Sequence, residues 1–290
     1  MKRLGCLLLL AYSNLLSAGT LAFFDLPFGK ITVELFDNYK PITVQNFIRC
    51  VTNGVYQNSF IHRCIPNFIV QGGGFTTMSK TNPMLATQFF YVPNFGFITN
   101  EFNYGRRFSN SYGTLAMAKL EGDPNSATTH WFFNLTNNST ILDTQNGGYT
   151  VFGKIIDGTN VLNWFNTLQY GGGASEPTGG LLDLTWWYGP NLAVFSCIPV
   201  LYQGLTPPFY PDLIYSDISI NPMKLYIKRI TTNEIELTWL SVSNKINCIE
   251  FLDSITNGWK VLYQTNGTGN IISYKFKPNN NGLYRLSVGF

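Results

Sequence analysis

Apolar and polar positions alternate along most of the chain. In Leu21–Leu26 and Ile31–Leu35, separated by Pro27-Phe28-Gly29, the residues Ile31, Val33 and Leu35 share one side and Thr32 and Glu34 the other. That pattern predicts a β-hairpin. Pro41-Ile42-Thr43 then opens a helix, with Val44, Phe47 and Val51 near helical spacing and Gly54 after its end. Short strands are predicted at 60–64, 68–71, 113–119, 131–135 and 150–156, and Val161, Leu162, Phe165 and Leu168 predict a second helix. Few helices among many short strands indicate a closed or two-layered β architecture.

Residues 170–212 differ in character. Glycines at 171–173 and 179–180 and prolines at 207, 208 and 211 mark a long loop, yet Trp186, Trp187, Leu192, Val194 and Phe195 are too apolar for a free linker. The segment reads as an insertion packed on the first domain, followed by a strand over 212–220. Beyond Pro222 the short-strand pattern returns at 234–240, 247–252, 259–263, 271–276 and 283–288, with turn signals at Asn257-Gly258 and Asn266-Gly267. Two domains are expected, 20–221 and 222–290, the second a small β-sandwich.

Composition narrows the chemistry. The chain has 290 residues, of which 45% are hydrophobic, 16% aromatic and 12% charged, a balance opposite to that of disordered chains. Net charge is +3, with Lys2 and Arg3 at the extreme start, so the remainder carries no basic field for nucleic acid. With two histidines and five scattered cysteines, a zinc site of the usual kind is not expected, and no cofactor motif is present. There is no phosphate-binding lysine loop, nucleophile elbow or dinucleotide glycine motif. His62 and Cys64, two apart on a strand, share a face without making a catalytic Cys–His pair.

Met1-Lys2-Arg3, the apolar run Leu4–Ala11 and the small residues Ser17-Ala18-Gly19 resemble a signal peptide over 1–19, too short and polar to span a bilayer. The alternative is an anchored N-terminal helix. Export would place the protein in the periplasm or outside the cell, leaving no membrane span after cleavage. Cys50, Cys64, Cys197 and Cys248 could then pair in three ways or remain buried thiols.

One stretch concentrates chemistry: His62-Arg63-Cys64-Ile65-Pro66-Asn67-Phe68-Ile69-Val70-Gln71-Gly72-Gly73-Gly74-Phe75. Alternation places Ile69 and Gln71 on one side of the strand and Phe68 and Val70 on the other. With Ile31–Phe36, Pro41–Phe47, Gly113–Ala118, Asn125–Thr128, Phe132–Asn134, Tyr149–Lys154 and Asp157-Gly158, in that order over about half the chain, it resembles the cyclophilin family of peptidyl-prolyl cis–trans isomerases. The resemblance implies a closed eight-stranded antiparallel barrel with two capping helices, the strand near 213–220 closing it. It implies catalysis by Arg63, Phe68, Gln71 and Phe132, with Arg63 serving the prolyl carbonyl and nitrogen and Gln71 holding Arg63. Ile69, Ala118, Lys119, His130, Ile141, Leu142 and Tyr149 would contact substrate, Ala118 and Lys119 through the backbone.

The sequence departs from the family at several of these positions. His130 replaces a glutamine and opens either a neutral spacer role or a pH-dependent one. Trp131 and Ile61 replace phenylalanines, Ile69 a frequent methionine, and Ile141 a frequent tryptophan, which predicts weak cyclosporin binding. Arg63, Phe68, Gln71 and Phe132 are all retained, so the expected function is isomerisation of X-Pro bonds in exported proline-containing polypeptides. The alternative is a catalytically silent proline-segment binder, chaperone or adhesion module. The C-terminal strands bear a weaker similarity to fibronectin type III modules, with Trp239, Trp259 and Tyr284 as core and a surface or protein partner as ligand. Asn134, Asn138 and Asn266 begin glycosylation sequons should the host be eukaryotic.

Overall fold

The computed structural model describes residues 20–170, 179–185, 190–201, 208–222, 226–231, 233–241, 246–252, 260–268, 270–278 and 283–289. The expected signal peptide and Trp186, Trp187 and Trp259 lie outside them. The described residues form two compact units, one ending at Pro222 and one beginning beyond it.

In the first unit the hairpin is β1 (Thr20–Leu26) and β2 (Gly29–Leu35), followed by α1 (Pro41–Thr52). Next come β3 (Arg63–Ile65), β4 (Ile69–Gly72), the two-residue strands β5 (Phe75–Thr76) and β6 (Phe90–Tyr91), β7 (Thr114–Met117) and β8 (Trp131–Asn134). A one-turn helix α2 (Ser139–Leu142), β9 (Val151–Asp157) and α3 (Thr159–Trp164) complete the central part. The inserted segment carries β10 (Gly180–Leu182) and β11 (Ile198–Val200), and β12 (Asp217–Pro222) returns to the main sheet.

Eight of these strands make one antiparallel sheet in the order β12-β1-β2-β9-β7-β8-β4-β3. Its inner face holds the side chains that alternation assigns to it. Ile31, Val33 and Leu35 are at most 1% exposed, and Phe24 meets Trp131 and Phe133 edge-on with ring centroids 5.0 and 5.1 Å apart. The curled sheet is open, not the closed barrel expected: β12 and β3 are its edges. Residues just ahead of each edge meet only briefly, through Ile61 N–H donating to Ile214 O at 2.8 Å and Ser216 N–H to Ser59 O at 3.1 Å. The reason is local: Phe60 and Tyr215 turn into a second cluster with Phe75, Phe195, Ile198 and Leu213, which belongs to the inserted segment. Residues 190–200 pack beside β3 and cover an edge that would otherwise expose unpaired backbone groups.

Helix α1 packs Val44, Phe47 and Cys50 into the core, and Phe47 lies 5.3 Å from Phe152. Pro41 begins it, where a missing N–H costs nothing. The Glu101 carboxylate, 1% exposed, accepts from the N–H groups of Ile42 and Thr43 and from the Thr43 hydroxyl, at 3.2, 2.7 and 2.7 Å. It thereby satisfies first-turn donors that lack partners within a helix and complements the helix dipole. Burial lowers the Lys40 pKa, and its ammonium donates to Glu101 O at 2.6 Å and Tyr104 O at 2.7 Å. Helix α3 begins two residues earlier than its apolar spacing implied and continues as a 3-10 turn through Thr167.

The second unit contains β13 (Tyr226–Thr231), β14 (Glu234–Leu240), β15 (Ile246–Leu252), β16 (Lys260–Asn266), β17 (Ile271–Phe276) and β18 (Leu283–Gly289). They form two three-stranded antiparallel sheets, β13-β14-β17 and β16-β15-β18. Rings link the sheets: Trp239, 0% exposed, meets Tyr263 at 6.1 Å, and Tyr263 stacks on Tyr274 at 4.1 Å. Sequence pattern missed β13, whose Lys228-Arg229 pair interrupts the apolar alternation.

Candidate functional site

The same strands that build the core carry a second set of residues on their outer face. Strand pairing sets Arg63 opposite Gln71, Gln71 opposite Phe132, Phe132 opposite Ala116 and Ala116 opposite Val151. Five residues from β3, β4, β8, β7 and β9 therefore lie in one cross-strand row, although they span residues 63 to 151. The intervening positions Cys64, Val70, Leu115, Met117, Trp131 and Phe133 all enter the main core. A period of two separates the faces.

Around the row, Ile69, Ala116, Phe132, Leu142 and Val151 form an apolar cluster against which Phe68, Ala118 and Tyr149 pack. Phe132 is 2% exposed, and the Tyr149 ring meets it edge-on at 5.9 Å. Phe68 joins Ile69 here rather than taking Val70's side, contrary to simple alternation. The cause is Asn67, whose φ of 58° makes the Pro66-Asn67 turn irregular and sets Phe68 just ahead of β4. At the polar end the Arg63 Nη1 donates to Gln71 Oε1 at 3.3 Å. Gln71 is neutral, so it fixes the guanidinium fork without cancelling its charge. The arrangement joins a cationic donor array to an apolar cluster, with no nucleophile in the row.

The family model described as "Cyclophilin type peptidyl-prolyl cis-trans isomerase/CLD" matches residues 23–180. The chain is 37% identical over 161 residues to a peptidyl-prolyl cis-trans isomerase of Acinetobacter baylyi, covering 55% of this chain and 77% of the relative. It is 37% identical over 139 residues to peptidyl-prolyl cis-trans isomerase B of Escherichia coli, covering 47% and 77%. This chain belongs to the cyclophilin-type peptidyl-prolyl cis–trans isomerases. A cyclophilin type isomerase of Cryptosporidium parvum, solved in the presence of the dipeptide Ala-Pro, is similar over 51% of this chain and 85% of that one, at 24% identity and a TM-score of 0.39.

In this cyclophilin, Leu142 reaches the cluster from α2, and Ile141 beside it stands at the rim, 43% exposed. A network of buried amides that sequence reading overlooked holds α2 in place. Asn138 Nδ2 donates to Phe68 O and to Asn134 Oδ1, both at 2.8 Å, while Asn134 Nδ2 donates to Thr114 Oγ1 at 2.9 Å. Asn110 adds donors to Asp143 Oδ1 at 2.8 Å and to Tyr149 O at 3.0 Å. Asn134 and Asn138 are 0% and 4% exposed, so their sequons are structural and closed to a glycan, whereas Asn266 is exposed. The four-residue spacing of the two asparagines around a helix start was the available signal.

His130 sits on the far side of the row from Leu142. It packs over Gly74, where an added Cβ would fall 2.2 Å from its ring, and its ring centroid is 5.4 Å from that of His62. Burial pushes its pKa down to about 4 and holds His62 well below its ordinary value. That value leaves His130 neutral at neutral pH. Trp131 likewise depends on glycine: a Cβ on Gly72 would lie 2.6 Å from its ring. The Ala118 N–H donates to His130 O at 3.0 Å. The Lys119 side chain turns to the loop before Tyr149, its Nζ donating to Asn146 O and Gly148 O. Cys50, Cys64, Cys197 and Cys248 are free buried thiols, and the Cys64 pKa is raised by burial.

Proposed function

We propose that the Arg63–Gln71–Phe132 row is where this isomerase turns an X-Pro bond. The amide C–N bond has partial double-bond character and a barrier of ~18–20 kcal/mol, so catalysis requires stabilising the twisted amide and nothing covalent. Phe132, Ile69, Leu142 and Phe68 would seat the pyrrolidine ring. Arg63 would donate to the prolyl carbonyl and, as conjugation is lost, to the nitrogen lone pair, while Gln71 keeps the fork aimed. The observation that carries this reading is the register itself, which sets a charged donor and an apolar seat two strand spacings apart on one rigid sheet. An NMR exchange assay on an Ala-Pro peptide tests it. Arg63→Ala should lose nearly all acceleration with the fold intact, and full activity in that variant would overturn the assignment.

The remaining readings extend this one. Ile141 offers no indole N–H at the rim, which supports weak cyclosporin binding. Residues 1–19 have the make-up of an export signal, so the isomerase would act on exported or unfolded clients in the periplasm or outside the cell. N-terminal sequencing of the mature protein, expected to begin near Gly19 or Thr20, checks that. The paired three-stranded sheets of the second unit support a fibronectin type III-like sandwich that docks a client or surface. Removing 222–290 should then weaken client capture and leave peptide turnover unchanged.

A further inference from the structure

A second cation, outside the Arg63–Gln71–Phe132 row, lies beside the apolar cluster. Lys119 follows β7, and its Nζ donates to Asn146 O and Gly148 O, both at 2.7 Å. The same Nζ lies 4.7 Å from the centroid of the Tyr149 ring, within cation–π range. The turn it grips has an unusual backbone. Asn146, Gly147 and Gly148 have φ values of 50°, 72° and 77°, three successive residues in the left-handed region. Asparagine and glycine tolerate such angles best, but a run of them holds its shape only when surrounding groups impose it.

Two other side chains share that task. Asn100 Nδ2 donates to Gly147 O and Gly148 O, each at 3.0 Å, and Asn146 Nδ2 donates to Leu120 O at 2.7 Å. Of the three, Lys119 alone also reaches the Tyr149 ring. Its consequence for the cluster follows from the chain: Tyr149 N–H donates to Leu142 O at 2.9 Å, and the Tyr149 ring stands edge-on to Phe132. The position of the turn thus sets how far the rim stands from the seat.

We propose that Lys119 is a positioning residue whose ammonium staples the 145–148 turn and props Tyr149 against Phe132, so that it governs substrate affinity more than the rate of bond rotation. This rests on the reading of the Phe132–Leu142 cluster as the proline seat. Two carbonyl acceptors and a ring face suit a charged donor, because a charge-assisted hydrogen bond is worth more than a neutral one. Partial burial lowers the Lys119 pKa to about 8, opposed by the nearby carboxylate of Asp123. The groups that face it from other segments are the Tyr149 ring and the Asp123 carboxylate. The staple is therefore complete below pH 8 and loosens as Lys119 loses its proton above it.

The test is kcat and KM for an Ala-Pro peptide by NMR exchange between pH 6.5 and 9.5, for the full chain and for K119M, K119R and R63A. K119M should raise KM about tenfold with kcat within about twofold. Wild-type KM should rise above pH 8, while K119M and K119R show no such rise. K119R should restore KM, since a guanidinium bridges two carbonyls and does not titrate in that range. An unchanged KM in K119M, or a wild-type KM flat to pH 9.5, overturns the proposal. Should K119M melt out of its fold, the wild-type pH series and K119R decide alone. If R63A turns over normally, the seat is misplaced and the role of Lys119 falls with it. If R63A is inactive and K119M is indistinguishable from wild type in KM, Lys119 alone is wrong.

Discussion

The two faces of the β3-β4-β8-β7 strands have the same backbone and opposite fates. Inward, Cys64, Val70, Leu115, Met117, Trp131 and Phe133 are all nearly inaccessible and meet Phe24 and Phe47 across the core. Outward, Phe132 and Ala116 are just as inaccessible, at 2% and 0%, but Arg63 and Gln71 at the polar end and Phe68 and Tyr149 around the apolar end are half-buried, and Ile141 is exposed. A complete inner face holds the sheet rigid. The half-buried rim, Phe68 and Tyr149 with Ile141, leaves apolar area that a ligand ring would cover, and the rigidity behind it keeps the charged donor at a fixed distance. Stability and activity should therefore respond to different residues a single position apart.

The largest expected effect tests the inner face. Phe133→Ala should cost about 3–5 kcal/mol of stability by leaving a cavity beside Phe24, read as a fall in urea midpoint, while kcat per folded molecule is retained. Arg63→Ala should do the opposite. Losing a donor to the transition state reduces kcat/KM by about hundredfold, with the denaturation midpoint close to wild type. If the two variants lost stability and activity in proportion, the separation of faces would be false.

The histidines at the end of the row give a pH test of somewhat smaller size. Folding keeps His130 neutral down to about pH 4, whereas in the unfolded chain it takes up a proton near its ordinary 6.5. The contribution is thus fully present above 6.5 and is lost as pH falls toward 4. Between pH 7.5 and 5, stability should drop by about 2 kcal/mol from this group, and His130→Gln should remove that part of the slope. Over pH 5.5 to 7, activity of the folded enzyme should stay flat, since His130 does not change charge there. Smallest is Glu101→Gln. Replacing a buried carboxylate that accepts three donors at the start of α1 should lower stability by about 1–2 kcal/mol without changing KM.

Much of the site was legible in the chain because its parts are local. Arg63, Phe68 and Gln71 lie within nine residues around one Pro-Asn turn, and alternation separated Ile69 and Gln71 from Val70. It failed at Phe68, where Asn67 enters the left-handed region and breaks the period. Leu142 and Tyr149 were named by resemblance. The amides that hold them, Asn110, Asn134 and Asn138, signalled little beyond the four-residue spacing of the last two, since a buried asparagine and a sequon asparagine are the same letter until partners 20 or more residues away are known.

What the chain alone determined was periodicity: which residues of each strand and of α1 face inward, where the hairpin turns, and which types of side chain share the Arg63–Gln71 stretch. Those features depend on dihedral preference and on keeping apolar area from water, both local properties. The tertiary structure decided the rest. Sheet order set Gln71 beside Phe132, the inserted segment covered β3 and left the sheet open, burial lowered the His130 pKa, and Lys119 found its carbonyls 27 and 29 residues onward. Each of these depends on distances between remote segments, and desolvation and hydrogen bonding act only once those distances exist.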